Sequence, residues 1–381
     1  MTAFQRYDNA FKRGKMSVFN DDTEGLLWLK LKSIIRKDFV SDFVQRNGIV
    51  LKSSGLANTF AELFAALISN VAVANAMLDA FIREVSAQQI ARVDIKKLVS
   101  ELYKLRTFDW GGDYQNALDK YLVSRYVKTD NPSFESLLSR FDSEINPAVR
   151  GYVLNSWFNY WSSVLIENIF KQHPSVLPTI GKVKSVDFFV KGIPFDLKVT
   201  YFPSEYLASE RKIRRHPVAF TFLKQRARVS GIPFDTSAAS DVIENEIREK
   251  MRDRNDAFCK KTLQTLHEQN MEILDEAIKN PKRLAQWLYE HQGEMRFGAE
   301  NRIYLVLVDT ADFQNAWKIK RNVDLLGPAI TQYLDSFVID TIRKKQIAFT
   351  FKGKTGTFSA LADVIFVVKQ YAENLFDKGN G

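Results

Sequence analysis

Two short runs near the middle of the chain have the pattern of a β-hairpin. The runs, 186–190 and 193–200, are rich in aromatic and β-branched residues, which favour strands. Only Lys191 and Gly192 separate them, and Gly192 can supply the positive φ angle of a tight turn. The sequence therefore predicts two antiparallel strands joined by a two-residue turn, and this hairpin limits the folds open to the chain.

The predicted register brings two acidic side chains together. If Val190 pairs with Ile193, Asp187 faces Asp196, and Lys198 lies on the same face as Asp196 because side chains alternate along a strand. Opposed like charges destabilise a sheet by up to about 1 kcal/mol, so the carboxylates favour a cation between them. Mg²⁺ suits this position because it prefers oxygen ligands. A glycine bulge at the turn would instead make Asp187 a diagonal neighbour.

A helix and a further strand flank the predicted hairpin. The stretch 151–171 has an apolar, aromatic-rich helical pattern and carries one acid, Glu167, near its end. Much later, the run 302–309 is almost continuously apolar, which is typical of a buried central strand. The chain order is thus a helix with an acid, a strand with Asp, a strand with Asp-x-Lys, and a buried strand.

This order resembles the PD-(D/E)xK nuclease superfamily, the fold of most restriction endonucleases. The resemblance covers 151–200 and 302–309, and Val186 stands where the family name has Pro. It implies an α/β fold: a restriction-endonuclease-like mixed β-sheet flanked by helices, with a helical N-terminal domain and a helical insertion. A further implication is hydrolysis of DNA phosphodiester bonds with Mg²⁺, for which Mn²⁺ can substitute.

The resemblance also assigns roles to individual residues. Asp187 would be the first acid, Asp196 the second, and Lys198 the lysine that orients or activates the attacking water. Glu167 would be the helical acid found in many members. The metal ligands would be Asp187, Asp196, Glu167 and the backbone carbonyl of Leu197.

A structural interpretation of the same residues remains open. Asp187, Asp196 and Lys198 could form a solvent-facing strand pair with a cross-strand salt bridge, worth under about 1 kcal/mol. Glu167 could be an ordinary exposed helix residue. A zinc site is disfavoured because Cys259 is the single cysteine and no zinc-ligand spacing is present.

Net charge favours a polyanionic partner. The formal net charge is +9, and the segment from Phe202 to Arg228 has seven basic and two acidic residues, a net +5. A charged, solvated surface is the alternative explanation. The predicted DNA-binding residues are Arg211, Lys212, Arg214, Arg215, Lys224, Arg226 and Arg228.

The rest of the chain divides into a predicted helical domain and a predicted nuclease domain. Residues 1–146 read as mostly helical, and 147–381 would form the nuclease domain, with a helical insertion at about 203–298. Later runs, 346–352 and 363–369, predict further strands of the same sheet. The loop 109–113 is either a plain turn or a metal or phosphate loop.

The resemblance implies an endonuclease, and a cytoplasmic location is expected. A type II restriction enzyme that cuts double-stranded DNA as a homodimer is the most specific expectation, since two-fold symmetry matches symmetric half-sites. A repair, recombination or mobile-element nuclease of the same fold, or a nucleic-acid-binding protein with an inactive site, are the alternatives. No membrane association is expected, because polar residues interrupt the apolar stretch 61–82.

Overall fold

The core of the protein is a six-stranded mixed β-sheet. A computed structural model of the chain describes residues 1–53, 55–106, 118, 122–128, 133–238, 240–293 and 297–370. The predicted loop 109–113 lies outside these residues. The sheet order is β1-β2-β3-β4-β6-β5. The strands are β1 (Val176–Val183), β2 (Val186–Val190), β3 (Ile193–Tyr201), β4 (Arg302–Asp309), β5 (Gln346–Phe349) and β6 (Phe358–Lys369).

The predicted hairpin is confirmed. β2 and β3 pair antiparallel, and Val190 lies opposite Ile193. Lys191 has a φ angle of 47° and Gly192 one of 89°. Positive φ at both central residues is what a two-residue type I′ turn requires, and this turn matches the twist of the strands.

Parallel pairing holds the middle of the sheet together. β3 pairs parallel with β4, and β4 pairs parallel with β6. All eight residues of β4 are buried, which confirms the predicted central strand. β5 pairs antiparallel with β6, and these two strands confirm the predictions made from 346–352 and 363–369. The mixed α/β class is therefore as expected.

Helices at the N-terminus share a core with the first two strands. Trp28 and Phe64 pack in the same cluster as Leu177 of β1 and Phe189 of β2. These helices therefore have no core separate from the sheet, and a domain boundary near residue 146 stays a prediction. They are α1 (Ala3–Lys12), α2 (Thr23–Ile34), α3 (Lys37–Arg46), α4 (Leu56–Leu67) and α5 (Val71–Ala91), with short 3₁₀ turns at Met16–Phe19 and Ile68–Asn70. The next helix, α6 (Ile95–Tyr103), belongs to a different cluster, with Phe158 and Leu165.

One N-terminal segment, Leu56–Ala91, is long and apolar enough to cross a membrane by length and composition alone. In the fold, Phe60 and Leu63 of α4 and Leu78 and Ile82 of α5 are buried in the shared core. These four side chains therefore pack as those of core helices do, although other parts of the segment face solvent.

A long helix covers one face of the sheet. After α7 (Phe134–Ser139), which lies between π-helical turns at Val123–Val127 and Phe141–Ile145, the chain forms α8 (Asn146–Gln172). Ile166 and Phe170 of α8 pack against Phe188 and Phe195 of the hairpin. The same face also receives the 3₁₀ segment Phe313–Arg321, α14 (Val323–Asp335) and α15 (Ile339–Lys344).

The predicted helical insertion between β3 and β4 is present. It consists of α9 (Ser204–Ile213), α10 (Ala219–Ser230), α11 (Ser240–Arg254), α12 (Ala257–Lys279) and α13 (Pro281–Glu290). Parts of α9, α12 and α13 pack on the second face of the sheet, against Tyr304 and Val306 of β4. The α10–α12 part has its own cluster, which includes Leu223, Ile247 and Leu266. The insertion is therefore anchored on the sheet and extends into a small subdomain.

Candidate active site

The hairpin strands part at the predicted acids. Pairing between β2 and β3 extends from the turn to Phe188 and Phe195, and Asp187 and Asp196 are the next residues along. From Asp196 onward, β3 pairs with β4 on its other side. Beyond this point the N–H of Leu197 on β3 has a side-chain partner instead of a backbone partner on β2. Oδ2 of Asp187 accepts a hydrogen bond of 2.7 Å from it.

The carbonyl of Leu197 faces the same opening. The N–H of Asp196 donates to the carbonyl of Asn301 on the β4 side. Successive residues of a strand direct their backbone groups to opposite neighbours, so Leu197 directs both its N–H and its carbonyl toward β2. The gap between the parted strands therefore contains carboxylate and carbonyl oxygens, as the resemblance predicts.

Asp196 and Lys198 form an ion pair on one face of β3. The Nζ of Lys198 lies 2.8 Å from Oδ1 of Asp196. Asp196 is buried, whereas the side chain of Lys198 is 48% exposed, so the ammonium can reach a substrate. Their register partners on β4, Arg302 and Tyr304, show that this face is the one covered by the insertion.

Arg302 is a partner of Asp196 that the sequence analysis missed. Its Nε lies 3.2 Å from Oδ2 of Asp196, and its Nη2 lies 3.0 Å from Oε2 of Glu300. Nη1 donates to Oε1 of Gln292 over 2.9 Å, and the guanidinium stacks on the ring of Tyr289 at 4.9 Å. A charged residue at the head of an otherwise apolar buried strand was the available signal, because a buried charge needs a partner.

Glu167 approaches the site from the other face of the sheet. It lies on α8, whose neighbouring residues Ile166 and Phe170 pack opposite to the face that carries Asp196. Its carboxylate makes a 2.8 Å ion pair with Lys171 of the same helix. Glu167 is still close enough for its negative charge to raise the pKa of Asp187, and its role as a metal ligand stays a prediction.

Burial raises the pKa of Asp187 to about 6. Removal from water is the largest cause, and the negative charge of Asp196 is the second. The hydrogen bond from the N–H of Leu197 and the charge of Lys198 oppose the rise, while Glu167 adds to it. Asp187 is thus a carboxylate whose charged form needs additional positive charge nearby.

The oxygen donors of this opening suit Mg²⁺, but their present partners compete with a metal. Two carboxylates and a carbonyl match the ligand preference of Mg²⁺, which keeps several waters. Within the residues that the structure describes, no three His, Cys, Asp or Glu side chains are grouped closely enough to hold a metal. Both oxygens of Asp196 contact cations, so a metal must share Asp196 with Lys198 or Arg302.

Two of the predicted DNA-binding residues, Arg211 and Arg214, have their charged groups bonded to other side chains of the protein. Arg211 is buried and donates to the side chains of Gln269 and Asn270 and to the carbonyl of Pro217, so its assignment to phosphate contact is wrong. Arg214 pairs with Glu210 at 2.7 Å and also with Glu276, which reduces the net charge it presents. The remaining predicted residues, Lys212, Arg215, Lys224, Arg226 and Arg228, are exposed or half-buried on α9, α10 and the loop that joins them.

Comparisons with protein-family models, curated proteins and solved structures found no significant match to this chain. The class of the protein therefore follows from its own geometry. It is a mixed α/β protein with a carboxylate and lysine cluster at the point where two strands of its sheet separate.

Proposed function

We propose that this protein is a Mg²⁺-dependent endonuclease that hydrolyses phosphodiester bonds of DNA through a PD-(D/E)xK-type site. One observation carries the proposal. Asp187 and Asp196 flank the opening between β2 and β3, and the half-exposed ammonium of Lys198 lies 2.8 Å from Asp196 on the adjoining face. This arrangement matches the chemical needs of phosphodiester hydrolysis.

Each residue has a defined task in this reaction. Asp187, Asp196 and the carbonyl of Leu197 would hold Mg²⁺, which supplies an acidified water and neutralises charge on the phosphate. Lys198 is placed to hold that water and to stabilise developing negative charge on the phosphate oxygens. Arg302 pairs with the buried side chain of Asp196 and would fix its orientation.

Double-stranded DNA is the proposed substrate. Lys212, Arg215, Arg226 and Arg228 are exposed on the insertion that follows β3, where they can contact phosphates. Such contacts position a duplex but carry no sequence information. A type II restriction enzyme acting as a homodimer is the narrower form of the proposal, and a repair, recombination or mobile-element nuclease is the broader one.

A nucleic-acid-binding protein with an inactive site is the second candidate. The observation in its favour is that Lys198 and Arg302 contact both oxygens of Asp196. A carboxylate neutralised in this way has less need of a metal ion. The two candidates differ in whether metal-dependent cleavage occurs.

The test is incubation of the purified protein with long duplex DNA and Mg²⁺, with gel readout. We expect cleavage that a chelator stops and that Asp196→Ala and Lys198→Ala each reduce by at least about 100-fold, since each removes charge stabilisation from the transition state. DNA binding by Asp196→Ala should be retained, because that variant loses a negative charge.

Lys184→Ala serves as the matched lysine control, since Lys184 is exposed in the turn between β1 and β2. Discrete bands would support a sequence-specific enzyme, and a smear would support the broader nuclease class. Cleavage by Asp196→Ala at the rate of the unaltered protein would refute the assignment of the site. Shifted but uncut DNA with every divalent metal tried would favour the binding protein.

A further inference from the structure

A large cleft lies beside the proposed active site. It has a volume of about 870 Å³ and opens at the carboxyl ends of β3 and β4, where Thr200 and Thr310 line it. Helices α9, α11 and α12 and the start of α10 form its other walls. Ligands of open α/β sheets commonly bind outside the carboxyl ends of parallel strands, and clefts of about 300–1,000 Å³ suit small ligands.

The face of β3 that carries the site leads into this cleft. Asp196, Lys198 and Thr200 alternate along the strand and therefore share a face. At about 3.3 Å per residue, Thr200 lies about 13 Å from Asp196. That distance is about four steps of a stacked nucleic-acid strand, at about 3.4 Å per step. A strand held at Lys198 can thus extend to the cleft.

The lining of the cleft disfavours phosphate as its main occupant. Four carboxylates line it, from Glu205, Glu244, Glu249 and Asp312, against three arginines. Of these arginines, Arg211 is already bonded within the protein. The excess of carboxylates therefore disfavours an anionic group, and the lining offers both donors and acceptors to an uncharged one.

Aromatic and charged side chains of α10 and α11 line one part of the cleft. Phe220 lines the cleft, and the Nζ of Lys224 lies 5.2 Å from the centre of its ring. Arg248 and Glu244 of α11 line the same cleft, and half-buried Arg248 forms a 2.6 Å ion pair with Glu244. An aromatic ring with a nearby cation, together with paired donors and acceptors in one cleft, is a combination that binds unpaired bases.

We propose that this cleft binds the bases of one or two nucleotides that have left the duplex, on the DNA strand that lies across Asp196 and Lys198. A base stacks on Phe220, while the Arg248–Glu244 pair contacts its polar edge. Lys224, whose Nζ lies near the Phe220 ring, contacts the phosphate of the bound nucleotide. The inference rests on the proposed function for the nature of the substrate.

Binding in a chelator separates the cleft from catalysis. The probe is a fluorescein-labelled single-stranded hexadeoxynucleotide, measured by fluorescence anisotropy with the unaltered protein and with Phe220→Ala, Arg248→Ala and Lys261→Ala. We expect Phe220→Ala and Arg248→Ala each to weaken binding by at least about tenfold, the effect of losing one stacking or polar base contact. Lys261→Ala should bind normally, because Lys261 is exposed on α12 and lies outside the cleft.

A blunt duplex of equal length is the second probe. Its affinity should not change in Phe220→Ala, whereas the single-strand affinity falls, and this contrast also shows that the variant is folded. Single-strand binding that is absent, or equal in all four proteins, would overturn the cleft assignment. If the cleft variants lose single-strand binding but no metal supports cleavage by the unaltered protein, the nuclease proposal fails and the cleft assignment stands.

Discussion

Asp187 carries a charge that its surroundings disfavour at neutral pH. Its pKa rises from 3.8 in the unfolded chain to about 6 in the folded protein, because of burial and the nearby charge of Asp196. Between these values the folded protein binds more protons than the unfolded chain, so its stability falls as the pH rises from about 4 to about 6. This rise in the pKa of Asp187 corresponds to about 3 kcal/mol in the free energy of unfolding.

We therefore expect Asp187→Asn to stabilise the protein at pH 8 in a chelator and to have little effect at pH 4. Urea unfolding at the two pH values measures the difference, which should approach about 2–3 kcal/mol. Asp340→Asn is the matched control, because the side chain of Asp340 is 83% exposed. An equal change in the free energy of unfolding at both pH values for Asp187→Asn would contradict the burial argument.

Arg302 should be necessary because it is buried beside two carboxylates, those of Asp196 and Glu300. Removal of one partner of a buried ion pair leaves an uncompensated charge and typically costs about 3–5 kcal/mol. We expect Arg302→Met to lose stability in this range, and Asp196→Asn with Arg302→Met to lose less than the sum of the two single variants. A double-mutant cycle by urea unfolding gives the coupling energy, and additive losses would mean that the pair is not coupled.

The relative positions of residues in the candidate site could be predicted from sequence where the determinants are local. Asp187, Asp196 and Lys198 are placed by a two-residue turn and by the alternation of side chains, both of which are visible over 15 residues. Arg302 is distant in sequence, so its contact with Asp196 could not be predicted. Charge counting failed for Arg211 because composition does not reveal that Gln269 and Asn270 enclose its guanidinium.

At the scale of secondary-structure elements, two glycines support the hairpin in different ways. Gly192 has a φ angle of 89°, and a Cβ there would meet no atom closer than Leu26 Cδ1 at 3.9 Å. Gly181 of β1 lies against α2, and a Cβ there would collide with the carbonyl oxygen of Ser33. The first position therefore requires backbone freedom, and the second requires space.

We expect Gly192→Ala to cost about 1–2 kcal/mol through backbone strain alone. Gly181→Ala should cost more, because α2 must move away from β1 and disturb the core around Trp28. Urea unfolding of both variants measures the order. Gly293→Ala is the control, since a Cβ there meets no atom within 4 Å. A larger loss for Gly192→Ala than for Gly181→Ala would contradict this explanation.

Individual elements were predictable, but their mutual arrangement was not. Apolar runs predicted β4, β5 and β6, and helical periodicity predicted α8. Neither pattern states which face of the sheet a helix covers. The sequence could therefore group Glu167 with the other acids but could not show that α8 packs on the face of the sheet opposite to Asp196, and its role as a metal ligand stays a prediction. The face is decided by the tertiary packing of Ile166 and Phe170.

At the scale of the whole molecule, the fold should be independent of metal. Lys198 and Arg302 already neutralise Asp196, and a large hydrophobic core surrounds the sheet. We expect EDTA to leave the melting temperature unchanged. Mg²⁺ at 100 times its dissociation constant should raise the free energy of unfolding by about 2.7 kcal/mol through mass action, and the melting temperature should rise accordingly. Unfolding by EDTA alone would show that the metal is structural, and Asp196→Asn is expected to lose the Mg²⁺ effect.

The long insertion between β3 and β4 sets the order in which the site can be assembled. Asp196 and Arg302 are 106 positions apart, and β3 has its parallel neighbour only when β4 is present. The ribosome synthesises the chain from its N-terminus, so the β2–β3 hairpin emerges long before β4, the strand that pairs with it in the sheet. Under the proposed function, the growing chain stays harmless to DNA until most of it has been made, and the cell that synthesises the nuclease is protected during translation by topology alone.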